Sequence, residues 1–225
     1  MNKGKDIKNS LFYLSFMLIL PLLHIIYKFL NAPHGKIHNL STIFDECLPF
    51  VKVFIVPYIT WYVFTYIILI YIYFKNRKIY LRAVITYIVC LIISYFIFYF
   101  FQTTVPRPEL IGNDIFTNII RLIYKFDKPF NCFPSIHVIS CYIIIKSIKT
   151  LKIHKKYTKP LIYFISMLII LSTLLIKQHV LLDILCAILL VETVIRPVFK
   201  FDWERFIAWK KKQFLLWMMK KKLET

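Results

Sequence analysis

Apolar residues gather into long runs near residues 11–30, 53–74, 79–101, 161–177 and 179–199, and a shorter run extends from about Ser135 to Lys149. A helix needs roughly 20 mostly apolar residues to cross a hydrocarbon core about 30 Å thick, and the five longer runs meet or approach that length. The run at 135–149 is brief because a polar motif occupies its first turn, while Lys146 is placed to snorkel from its far end. The pattern predicts an all-α, polytopic membrane protein with six transmembrane helices. Residues 1–200 form that domain, with its polar motifs inside 100–183, and residues 201–225 form a cytoplasmic tail.

Composition supports the same class: 225 residues, 59% hydrophobic and 18% aromatic, with 30 Lys and Arg against 11 Asp and Glu. With so much of the chain in apolar runs, nucleic-acid binding is a poor account of the positive charge. Placing both termini in the cytoplasm puts 22 of the 30 basic residues, Lys3, Lys5 and Lys8 among them, on the inner side. That asymmetry is what the positive-inside rule expects of a multi-pass protein of the cell membrane. The first run has the basic flank of a signal peptide but no small-residue cleavage site after it, so it reads as a retained helix. The tail "DWERFIAWKKKQFLLWMMKKK" mixes Trp, Phe and Lys as an interfacial helix on anionic headgroups would, although Lys210 and Lys221 interrupt its apolar stripe. Cysteines at 47, 90, 132, 141 and 186 form no CxxC pair and read as packing residues, with a Cys47–Cys132 disulfide on the outer face as the alternative.

This topology gathers three polar islands at the outer surface: "QTTVPRP" (102–108), "CFPSIH" (132–137) and "KQHVLLD" (177–183). His179 and Asp183 are four residues apart, so on a helix they share a face and the carboxylate reaches the imidazole. An Asp one turn inside a span calls for such a partner, because an unpaired carboxylate there is costly. Pro134 suits a helix start, Ser135 can cap it, and the N–H groups that follow form an anion site with His137 in the first turn. Two prolines hold Arg107 on a stiff extended segment, where a guanidinium is suited to clamping phosphate oxygens. Each island taken singly also has a plain structural reading: a helix-joining His–Asp hydrogen bond, a capping histidine, an interfacial arginine.

In this order, "PRP", "PSIH" and H-x-x-x-D resemble the type 2 phosphatidic acid phosphatase (PAP2) superfamily over roughly residues 55–200. The resemblance implies a six-helix membrane fold that cleaves or transfers phosphoryl groups on lipids through a phosphohistidine, with no required metal or other cofactor. It implies His179 as nucleophile, Asp183 as the residue that orients it and His137 as the acid for the leaving oxygen. Arg107 and Ser135 then bind phosphate. A neutral imidazole beside a protonated one gives a bell-shaped pH dependence. Three positions depart from the family pattern: Phe100 stands where a lysine is usual, Ser172-Thr173 where Ser-Arg is usual, and Ile136 where PSGH has glycine. Two cations are thereby missing, and Lys177 is the candidate replacement. The departures look more like the branch that includes inositol phosphorylceramide and sphingomyelin synthases, where a lipid hydroxyl receives the head group. The expected partners are a lipid phosphate or diphosphate and the surrounding membrane lipids. Rival readings are a non-catalytic membrane protein of the same fold and a metal site built from His137, His179 and Asp183.

Overall fold

The computed structural model describes residues 10–223, so the Lys3, Lys5 and Lys8 cluster lies outside the described residues. An N-terminal helical stretch from Ser10 ends in α1 (Ile19–Leu30), followed by β1 (Ile37–Asn39) and the single turn α2 (Ile43–Cys47). Then come α3 (Ile55–Lys75), α4 (Arg77–Phe100), β2 (Gln102–Thr104), α5 (Ile115–Phe126), α6 (Ile136–Thr150), α7 (Thr158–Leu175), α8 (Leu181–Lys200) and α9 (Trp203–Leu223).

The α3–α4 hairpin turns on one residue. Asn76 ends α3, and its side chain accepts the Ile79 N–H at 3.1 Å, satisfying one of the free donors at the start of α4. Among the described residues, four helical stretches are long and apolar enough to cross a membrane: Ser10–Leu30, Lys52–Lys75, Arg77–Phe100 and Thr158–Leu175. The two other expected spans fall short for different physical reasons. Helix α6 has 15 residues, about 22 Å at 1.5 Å per residue, and α8 carries Asp183, Glu192 and Arg196.

Both nevertheless sit in the bundle. Helix α6 is its centre, packed against α3, α4, α7 and α8, with Ile139, Ile143, Ile144 and Ile148 buried. Surrounded by protein, it needs little lipid-facing apolar length of its own. Polar side chains tie these helices together: Trp61 Nε1 donates to Ser140 Oγ at 2.7 Å, joining α3 to α6. Glu192 of α8 accepts from Tyr142 Oη (2.6 Å) and Lys146 Nζ (2.7 Å) of α6, so the lysine expected to snorkel is tied to an acid instead.

Four contacts place the candidate motifs at one end of the bundle. β1 and β2 pair in parallel, Ile37 opposite Gln102, which joins the segments leaving α1 and α4. Val51 N–H donates to the Leu175 carbonyl, which joins the start of α3 to the end of α7. Ser135 N–H donates to the Asp183 carbonyl at 3.3 Å, which joins the starts of α6 and α8. Tyr27 Oη of α1 reaches Asp127, just beyond α5. Helix α5 was not expected: Asp114 caps it by accepting Thr117 N–H, and its inner face packs Ile120 against Ile55, Tyr58 and Ile176 while Ile115, Leu122 and Phe126 stay exposed.

Candidate active site

The turn between α7 and α8 sets the position of His179. Lys177 takes φ +52°, and the N–H groups of Gln178 and His179 both donate to the Thr173 carbonyl, at 2.9 and 3.1 Å. This is how a helix closes with a left-handed residue and frees the next segment to change direction. Thr173, at the position where an arginine was expected, thus serves this turn through its backbone.

His179 and Asp183 do meet, but not as a pair on one helix. Helix α8 starts at Leu181, with Val180 extended at its N-cap, so His179 lies before it. Asp183 is the third helical residue, and its Oδ2 accepts both Val180 N–H (3.0 Å) and His179 Nδ1–H (3.1 Å). The carboxylate supplies the side-chain half of a capping box and holds the imidazole in the same act. Because an ionised carboxylate only accepts, the proton sits on Nδ1 and Nε2 is left as the free lone pair. The pair is buried, with side chains 7% and 1% exposed.

His137 lies in the first turn of α6, its ring 5.6 Å from that of His179, edge to face. It is seated on Trp61 (4.1 Å) and Tyr58 (4.7 Å) and is 3% exposed, and neither ring nitrogen has a hydrogen-bond partner. Ser135 is fully buried, and its hydroxyl accepts Val138 N–H at 3.4 Å, so it caps α6. Arg107 stacks on the Tyr124 ring at 4.1 Å. Its Nη1 donates to the Tyr124 carbonyl (3.2 Å), and its Nη2 to the Asp127 carbonyl (2.8 Å) and to Gln178 Oε1, while Nε is buried and unpartnered. Gln178 was passed over in the sequence although it sits inside "KQHVLLD"; it links the arginine island to the histidine island.

Buried polar groups are nearly always paired, so unpaired ones point to a working site. Among the described residues, eight buried side-chain N or O atoms lack a partner, and five of them belong to Arg107, His137, Gln178 and Asp183.

The two histidines stand between two cavities. One, about 280 Å³, is lined by Arg107, Lys177 and His179 together with Asp45 and Glu46. Asp45 is occupied, because its carboxylate accepts from Thr42 and from the Leu181 N–H (2.7 Å) at the start of α8. The other cavity, about 220 Å³, is lined by His137, Asp127, Trp61, Tyr62, His24 and Lys28. It shares His24, Trp61, Tyr62 and Ile136 with a third space of about 150 Å³ running between α1, α3 and α4 past Leu20, Tyr66 and Tyr95. Ile136, in place of the expected glycine, therefore forms part of the wall common to both. Phe100, in place of the expected lysine, is 77% exposed at the end of α4. Among the described residues, no three His, Cys, Asp or Glu side chains are arranged as a metal-ligand set.

Lys177 lines the first cavity, yet its Nζ donates to the carbonyls of Asp45 and Leu48, both at 2.7 Å. It straps the 45–48 segment over the site. Lys177→Ala is expected to speed amide hydrogen exchange across residues 43–51 by about 10-fold, in line with roughly 1.5 kcal/mol for hydrogen bonds from a charged donor. Unchanged exchange there would show that the strap contributes nothing.

Neither a curated protein nor a solved structure matches this chain. A family model described as the PAP2 superfamily matches residues 26–196, a stretch that includes Arg107, Ser135, His137, Lys177, His179 and Asp183. The match begins near the end of α1 and ends in α8, spanning the helices that carry the two histidines, and the chain belongs to the PAP2 superfamily.

Proposed function

We propose that this chain is a six-helix membrane enzyme that takes a phosphoryl group from a lipid phosphate or diphosphate through a phosphohistidine at His179. In this reading both termini are cytoplasmic and the site opens at the outer leaflet. The observation that carries the proposal is the division of space by the two histidine rings. On the His179 side, the cavity is lined by Arg107, whose guanidinium is suited to a phosphate, while Lys177 Nζ is held by the Asp45 and Leu48 carbonyls. On the His137 side, it continues into an aromatic and aliphatic groove between helices, suited to a lipid tail.

The chemistry follows from that layout. His179 Nε2 attacks phosphorus, and the P–O bond pair moves to the leaving oxygen, which takes a proton from the His137 imidazolium. Asp183 stays ionised and balances the positive charge that the phosphorylated imidazole acquires. Water then gives a proton back to His137 as it attacks phosphorus, and His179 is regenerated. A lipid hydroxyl in place of water would make the same protein a head-group transferase.

The test is to incubate detergent-purified protein with a panel of lipid mono- and diphosphates, with and without acceptor lipids, in chelator. Phosphate release, or a head group moved to the acceptor, is the expected result, with a bell-shaped dependence of kcat/KM on pH. No product from any member of the panel would instead favour a non-catalytic membrane protein of this fold. Loss of activity in chelator alone would point to a metal.

A further inference from the structure

The reaction proposed above leaves His137 without a visible source of its positive charge. Its ring rests on Trp61 and Tyr58, is nearly inaccessible and has no hydrogen-bond partner. Such a seat disfavours an imidazolium unless a negative charge stands close by. His179 cannot provide it, and Asp183 is turned toward His179 and Val180.

The cavity that His137 faces has one carboxylate in its lining, Asp127. That side chain is gathered from two helices: Tyr27 Oη donates to Oδ1 at 2.7 Å, Asn31 Nδ2 donates to Oδ1 at 2.9 Å, and Tyr58 Oη donates to Oδ2 at 3.4 Å. Tyr58 is also one of the two rings packed against His137, so it touches both groups. The basic side chains in the same lining are His24 and Lys28, and Lys28 is exposed, where solvent weakens its reach. The Asp127 backbone carbonyl holds Arg107 as well, so one residue touches both halves of the site.

We propose that Asp127, fixed by Tyr27, Asn31 and Tyr58, is the counter-charge that keeps His137 protonated for departure of the lipid oxygen. It is a positioning residue: it exchanges no proton and stays a carboxylate while His137 gives its proton to the leaving oxygen and later regains one from the attacking water. The site thus uses two carboxylates, Asp183 for the nucleophile and Asp127 for the acid. The inference rests on the phosphoryl-transfer reading and extends it.

The test compares leaving groups. A lipid alkoxide needs a proton to depart, whereas p-nitrophenolate does not. In Asp127→Asn, kcat/KM for the lipid monophosphate that wild type turns over best is expected to fall by about 10- to 100-fold, the scale of general-acid catalysis. The value for p-nitrophenyl phosphate is expected to stay within about 3-fold of wild type. Asp127→Glu, which keeps the charge, should lie between the two on the lipid substrate. Tyr58→Phe keeps the ring beneath His137 but drops its bond to Asp127, and should show the same split at smaller size; it serves if Asp127→Asn does not fold. Equal loss on both substrates, or no loss on either, would overturn the proposal and leave Asp127 a structural tie between α1 and α3. A wild-type protein inactive on every phosphate ester would overturn the reaction assignment beneath it.

Discussion

His179→Ala is expected to reduce phosphoryl transfer by roughly 10⁴- to 10⁶-fold, the range seen when a nucleophile is removed from a catalytic unit. The fold should survive. The side chain makes one hydrogen bond, to Asp183, while its backbone N–H, which helps set the α7–α8 turn, is retained by alanine. The measurement is phosphate release by purified protein, together with acid-labile, base-stable labelling from radioactive substrate in wild type only. Turnover within 10-fold of wild type would remove His179 from the reaction, and labelling that persists in the variant would place the covalent bond elsewhere.

Asp183 offers the second large effect, and a pair of substitutions separates its two duties. Asp183→Asn can present its amide oxygen where Oδ2 stands, keeping both the Val180 N–H and the His179 Nδ1–H bonds but removing the charge. Thermal stability should remain within about 1 kcal/mol of wild type, while turnover falls by about 10²- to 10⁴-fold, since the phosphorylated imidazole loses its counter-charge. Asp183→Ala removes both bonds at a residue with 0% exposure, so it should lose activity and also roughly 1–3 kcal/mol of stability. Equal activity in Asp183→Asn and wild type would mean that only the capping duty matters.

Periodicity and apolar length located every helix of the bundle to within a few residues, because burial in lipid or protein writes the same apolar run into the sequence. What they missed is set by contacts across the chain. Helix α5 was not read from the sequence: half its residues are exposed, and its apolar face is covered by α3 and the α7 terminus. The spacing of His179 and Asp183 was read as a shared helical face, whereas an extended Val180 between them turns the same spacing into a cap. Lys177 looked like a spare cation, yet its Nζ is held by two carbonyls about 130 residues away. Gln178 and Asp127 carried no signal at all: an amide beside a histidine and an acid in a loop are commonplace until folding sets one on Arg107 and the other on three hydrogen-bond donors.

The α1-to-α3 connection bears on what a minimal version of this protein would be. All three polar islands lie beyond residue 100, which suggests that a chain starting at α3 would keep the chemistry. Such a shortened chain would lack Asp45, and with it the acceptor for the first amide of α8, two residues from His179. It would also lack Tyr27 and Asn31, stripping Asp127 of two of its three donors. The motifs would all be present and the site would be missing its back wall, so any graft or truncation of this bundle must carry residues 27–48 along with the histidines.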